Sequence, residues 1–111
     1  MSPEIKKLLQ DIDSSISMVE GYLQGVTTLS EYKDNFLIID DVERRLAIIG
    51  EALWKIEKLD NTLRISDKKK IISLRHILVH DYDLIEDETI WVICKKYLIT
   101  LRDEIKELIR Q

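Results

Sequence analysis

Arg75, His76, His80 and Tyr82 fall within the eight residues Arg75-His76-Ile77-Leu78-Val79-His80-Asp81-Tyr82, in a stretch that is otherwise apolar and helix-forming. Arginine is a permanent cation whose planar fork fits a phosphate or a phosphorane-like transition state, and histidine moves a proton near neutral pH. Together they suit phosphodiester cleavage. On one regular helix Arg75 and His80 stand about 140° apart, so they converge only if the helix loosens at His80 or if two copies of the chain pool their residues. Arg75 and Tyr82 lie within about 20° of each other, on the apolar side with Ile71, Leu74 and Leu78. A structural role competes with the chemical one: Arg75 as the buried partner of a carboxylate such as Glu51, and His80 as a cap on the helix C-terminus, where the dipole favours an imidazolium. On spacing alone that structural role is the stronger reading.

Other chemistries find less support. His76 and His80 have the i, i+4 spacing of two metal ligands on a helix, with Asp81 or Asp83 as a third, but no glutamate follows the first histidine and Arg75 is a poor neighbour for a cation. No metal site is expected. No glycine-rich phosphate loop is present, and no serine or cysteine has a base nearby in sequence. Cys94, the one cysteine, reads as a small buried hydrophobe.

The elements that must position these groups are helices. Ser2 as N-cap, Pro3 at the first position and Glu4 in the first turn open a helix whose apolar stripe is Ile5, Leu8, Leu9, Ile12, Ile16, Val19 and Leu23. Thr27 to Leu29 reads as a connection and Ser30 as the cap of a second helix, bent near Asn35 and continuing to about Leu59. Its core stripe is Val42, Leu46, Ile49, Leu53 and Ile56. Ala47, Gly50, Glu51 and Trp54 form a second line on the side that should be polar. This predicts a contact with another copy of the chain, with Ala47 and Gly50 allowing close approach and Trp54 filling the gap. Asp60 to Thr62 closes that helix. Ser66 and Asp67 open a third, ending near Tyr82; Asp83 to Asp87 is a polar turn. A fourth runs from about Glu88 to the C-terminus on Ile90, Cys94, Tyr97, Leu101, Ile105 and Leu108. The expected fold is all-α, an antiparallel four-helix bundle in a single domain, residues 1–111, assembled as a homodimer.

Composition agrees with this frame. A chain of 111 residues that is 45% hydrophobic can build a core without staples, and a single cysteine demands no oxidising compartment. The N-terminus has no signal-peptide core and no apolar run approaches the ~18 residues of a membrane span, so a cytoplasmic, unprocessed protein is expected. A net charge of −4 disfavours broad binding to nucleic acid but leaves room for a local basic patch, with Arg44, Arg45, Lys68, Lys69 and Lys70 as its candidates.

Arg75-x4-His80-x-Tyr82, with a polar His76 after the arginine, resembles the R-x4-H-x-Y signature of the HEPN superfamily and specifically of the HepT toxins. Ile49-Gly50-Glu51-Ala52 resembles that family's I-G-E-A stretch on its second helix. The length, the order of helices and both motifs extend the likeness over essentially the whole chain. It implies an all-helical homodimer whose paired motifs line a cleft, acting as a metal-independent endoribonuclease without a cofactor. Arg75 would hold the scissile phosphate, His80 would serve the 2′-hydroxyl or the leaving oxygen, and Glu51 and His76 would support them. Tyr82 matches the tyrosine to which a minimal nucleotidyltransferase antitoxin attaches AMP. Asp81 departs from the small residue, often glycine, found there in relatives. The alternative within the same resemblance is a non-catalytic HEPN module that binds a nucleotide or the nucleotidyltransferase.

Overall fold

The structure, a computed structural model, describes residues 1–80 and 86–111, with His80 described by its backbone alone. The residues described are helical, with no strand among them. The first helix, α1 (Pro3–Tyr22), starts as its sequence requires: the Ser2 hydroxyl accepts from the Ile5 N–H at 3.2 Å. A five-residue helix, α2 (Leu29–Lys33), follows, and its cap is Thr28 rather than the expected Ser30. The Thr28 hydroxyl accepts from the Glu31 N–H at 3.1 Å and donates to the Glu31 carboxylate at 3.0 Å. Ser30, two positions later, is therefore already inside the helix.

The bend expected near Asn35 is a full break. Asn35 caps a new helix, α3 (Phe36–Leu59), by accepting from the Ile38 N–H at 3.1 Å, and Asp60 ends it. Next comes α4 (Lys68–His80). Ser66 does not cap it, because its N–H and hydroxyl both donate to Glu104, at 3.1 and 2.9 Å. Asp67 takes the turn instead, in the left-handed region at φ 58°, and its carbonyl accepts from the Ile71 N–H. Tyr82 and the polar turn from Asp83 to Ile85 lie outside the described residues.

The last helical stretch is α5 (Asp87–Val92), a π-helical turn (Ile93–Tyr97) and α6 (Leu98–Arg110). The widened turn shifts the core stripe by one residue. Leu98, 2% exposed, occupies the interior position that simple periodicity assigned to Tyr97, which stays half-buried.

The central element is α3, packed against α1 on one side and α4 on the other, while α1 also packs on α6. Ion pairs give the direction of each crossing. Glu51 pairs with Arg75 and Glu57 with Lys68, so α4 runs back along α3; Glu20 with Arg102 and Asp13 with Lys106 show α6 antiparallel to α1. Ile12, Leu46, Ile49, Ile71 and Ile105 are fully buried between these helices. With α2 wedging Tyr32 against Trp91 near α5, this is the expected antiparallel bundle with a short helix added.

Candidate functional site

The two unusual stretches of the sequence meet where α3 crosses α4. Gly50 is buried there, and a Cβ built on it would lie 2.3 Å from the Arg75 Cβ and 2.9 Å from the Ile71 carbonyl oxygen. Any side chain at position 50 would push the helices apart. The close approach predicted for another copy is thus made within the chain at Gly50, because α4 supplies the second burial of α3.

That contact sets the root of the Arg75 side chain; its tip is set by α3. The guanidinium pairs with the Glu51 carboxylate, and its Cζ lies 5.7 Å from the centroid of the Trp54 ring. The Arg75 side chain is 24% exposed and that of Glu51 36%. The Arg75 Nε is buried and has no hydrogen-bond partner among the described residues. The expected Arg75–Glu51 partnership is therefore present, at the edge of solvent rather than sealed in the core.

Arg75 and Glu51 line an open cleft of about 580 Å³ between α1, α3 and α4. Its charged groups are Arg44, Lys55 and Arg75 against Asp11 and Glu51, and Ala47, Ile48 and Val79 form part of its apolar wall. Three cations against two carboxylates make this a locally basic surface on a chain whose net charge is −4. A phosphate entering it could take the second edge of the arginine fork.

The other predicted residues distribute unevenly. His76 is exposed on α4. Of the candidate basic residues, Arg44 reaches the cleft, whereas Lys68 pairs with Glu57. Lys69 and Lys70 line a separate groove against α5 and the π turn, where the Lys70 ammonium donates to the Tyr97 hydroxyl at 2.8 Å and holds its pKa below the ordinary tyrosine value. Lys55 also lines the cleft, beyond the basic residues expected there. Its signal was available in the spacing Arg44, Ile48, Glu51, Lys55, one face of α3. Cys94 is buried as expected, and desolvation pushes its thiol up to about 12. The backbone of α4 is helical through His80; Tyr82, Asp81 and Asp83 lie outside the described residues.

Residues 12–108 match the family described as Ribonuclease HepT-like. Two relatives from Methanocaldococcus jannaschii are similar to the chain. "Gamma-glutamylcyclotransferase and putative RNase MJ0434" is 28% identical over 116 residues, which is 100% of this chain and 50% of that protein, so the chain spans half its length. "Putative RNase MJ1380" is 31% identical over 108 residues, 93% of this chain and 94% of the relative. No solved structure matches.

Proposed function

The chain belongs to the HepT-like ribonuclease family, and we propose that it cleaves RNA as a metal-independent endonuclease with Arg75 and His80 as its catalytic pair. One observation supports this above the others: the partly exposed guanidinium of Arg75 lines an open, locally basic cleft, rooted by Gly50 and aimed by Glu51. Arg75 neutralises the scissile phosphate as charge builds on its oxygens. The neighbouring ribose 2′-oxygen attacks phosphorus, forming the 2′-O–P bond while the P–O5′ bond breaks. One proton leaves the 2′-hydroxyl and one reaches the 5′-oxygen, and His80 serves one of these transfers. The products are a 2′,3′-cyclic phosphate and a 5′-hydroxyl, with no water consumed. His76 and Glu51 act as supporting groups.

The working form is a homodimer. Because α4 is helical as far as His80, positions 75 and 80 are about 140° apart around one helix. Pooling residues from two copies removes that separation. Among the described residues no helix is long and apolar enough to cross a membrane. The chain acts as the toxin of a toxin–antitoxin pair in the cytoplasm. A minimal nucleotidyltransferase antitoxin silences it: the Tyr82 hydroxyl attacks the α-phosphorus of ATP, loses its proton and expels pyrophosphate. A bulky anion at Tyr82 then competes with RNA for the positive charge of Arg75.

Incubation of purified protein with total RNA in EDTA tests the reading, with wild type, Arg75→Ala and His80→Ala compared at equal helicity. Cleavage by wild type alone, leaving cyclic phosphate ends, is expected. Cleavage by neither wild type nor variants would favour a binding module, and equal cleavage by all three would remove Arg75 and His80 from the mechanism.

A further inference from the structure

Trp54 is a large apolar side chain left in the open beside the Arg75 guanidinium. It is 39% exposed, while Leu53 next to it on α3 is 1% exposed and Ile56 2%. The core does not need the indole. The contrast with Trp91 is direct, since that ring is half-buried and packs on the fully buried Tyr32 with centroids 5.6 Å apart. Cations approach both rings, the Arg75 Cζ at 5.7 Å and the Lys58 Nζ at 5.1 Å from the Trp54 centroid and the Lys95 Nζ at 4.7 Å from that of Trp91; Trp54 differs in its exposure and in lying beside Arg75. Lys55, which lines the Arg75 cleft, is its immediate neighbour in sequence.

An exposed aromatic ring beside an arginine that can hold a phosphate is an arrangement by which proteins hold single-stranded nucleic acid. The cations take the backbone and the ring takes a base. We propose that Trp54 is a base-stacking platform that seats a nucleobase of single-stranded RNA next to the phosphate held by Arg75. This rests on the ribonuclease reading for its ligand class and adds a positioning residue to it. Fixing one base fixes the adjacent ribose and phosphate, so the platform sets which phosphodiester lies against Arg75. Every base has a π-face, so the platform discriminates weakly among bases. A second copy of the chain is the rival occupant of this surface. Charge argues against a two-fold contact centred on the indole itself, because it would bring the exposed Lys55 and Lys58 up against their own copies.

The sequence contains two tryptophans, so Trp91→Phe leaves Trp54 as the sole indole reporter in the full-length protein. Its fluorescence is titrated with a 2′-O-methyl oligoadenylate, which lacks the attacking hydroxyl, and with an abasic oligomer of equal length. Anisotropy of labelled oligomers reports binding separately. Saturable quenching by oligoadenylate and none by the abasic oligomer is expected. In an otherwise wild-type chain, Trp54→Leu should weaken oligoadenylate binding about 5- to 150-fold, with Trp54→Phe recovering most of it and abasic binding unchanged. Arg75-dependent oligoadenylate binding without quenching or Trp54 dependence would overturn the platform and leave the ribonuclease reading standing. No binding of either oligomer to wild type would overturn both. Conversion of a dimer to monomers by Trp54→Leu, with no nucleotide-dependent quenching, would assign the indole to a contact between copies.

Discussion

Gly50 and Arg75 touch where α3 crosses α4, so closely that a methyl group on Gly50 would sit 2.3 Å from the Arg75 Cβ. The glycine of one motif is thus the seat of the arginine of the other. Gly50→Ala should gain up to ~1 kcal/mol in intrinsic helix propensity, yet lose more by forcing the helices apart, since overpacking a tight contact costs typically 1–3 kcal/mol. The Ile71 carbonyl at 2.9 Å is backbone and cannot swing aside. The expected outcome in denaturant titration is net destabilisation, accompanied by a larger proportional loss of RNA cleavage as the Arg75 root moves. A more stable variant with full activity would contradict this account of the crossing.

Much of this was legible in the residues. Ser2 and Pro3 announce α1, the stripe from Val42 to Ile56 announces α3, and a carboxylate such as Glu51 is a partner for Arg75 on sequence alone. The failures have physical reasons. Thr28, Ser30 and Ser66 can all cap a helix, and the choice among them was made by partners: Glu31 three residues on for Thr28, and Glu104, remote in sequence, for Ser66. The π turn that moves Leu98 inward leaves no local mark, because Ile93 to Tyr97 also fits an ordinary helix. Gly50 permits close approach, but sequence spacing does not say which helix arrives. Spacing alone puts Arg44, Glu51 and Lys55 on one face of α3; that α1 and α4 close that face into one cleft with Arg75 is not in the spacing.

The Glu51–Arg75 ion pair should be measurable as a coupling energy. Both groups are partly exposed, so screening limits the pair to about 0.5–1 kcal/mol. Glu51→Ala alone leaves a guanidinium whose Nε is already unpartnered among the described residues, and should destabilise by about that amount. A double-mutant cycle with Arg75→Ala, read from denaturant midpoints, isolates the pairwise term. Additive single changes would mean that the pair aims the arginine without stabilising the fold.

Glu43 supplies a pH-dependent test. Burial raises its pKa first, and the nearby carboxylates Asp87 and Asp40 add to the shift. The native state therefore binds the Glu43 proton more tightly than the unfolded chain does. Its contribution favours folding at low pH and is lost as pH rises through the native value, so ionised Glu43 is a liability near neutrality. Glu43→Gln should raise the melting temperature by on the order of 2–4 °C near pH 7, with the advantage disappearing near pH 4, where wild-type Glu43 is itself protonated. An equal gain at both pH values would assign the effect to packing.

Cys94 should be chemically silent in the native protein. Its thiol is largely buried and held at about 12 by desolvation, so thiolate is scarce near neutrality. Labelling by a disulfide reagent should be slow in buffer, fast in denaturant, and proportional to the opening population measured by hydrogen exchange. Rapid native labelling would mean that the π turn opens independently of the bundle.

Arg75→Lys separates charge from geometry at the cleft. The ammonium keeps the positive charge and can still reach for Glu51, but it has no planar fork with which to hold a carboxylate on one edge and a phosphate on the other. If Arg75 acted through bulk electrostatics, the substitution would be nearly silent, because Arg44 and Lys55 remain in place. If it supplies aimed donors to the charge that develops in the transition state, loss of the fork should lower single-turnover cleavage by about 10²-fold, the scale associated with removing one preorganised donor. Binding of an uncleavable RNA should then change by only a few fold, since backbone attraction depends on charge count. Parallel loss of binding and cleavage would place Arg75 in ground-state attachment alone. A large loss of cleavage with binding intact would identify the fork, held between Gly50, Glu51 and Trp54, as the part that acts on the transition state.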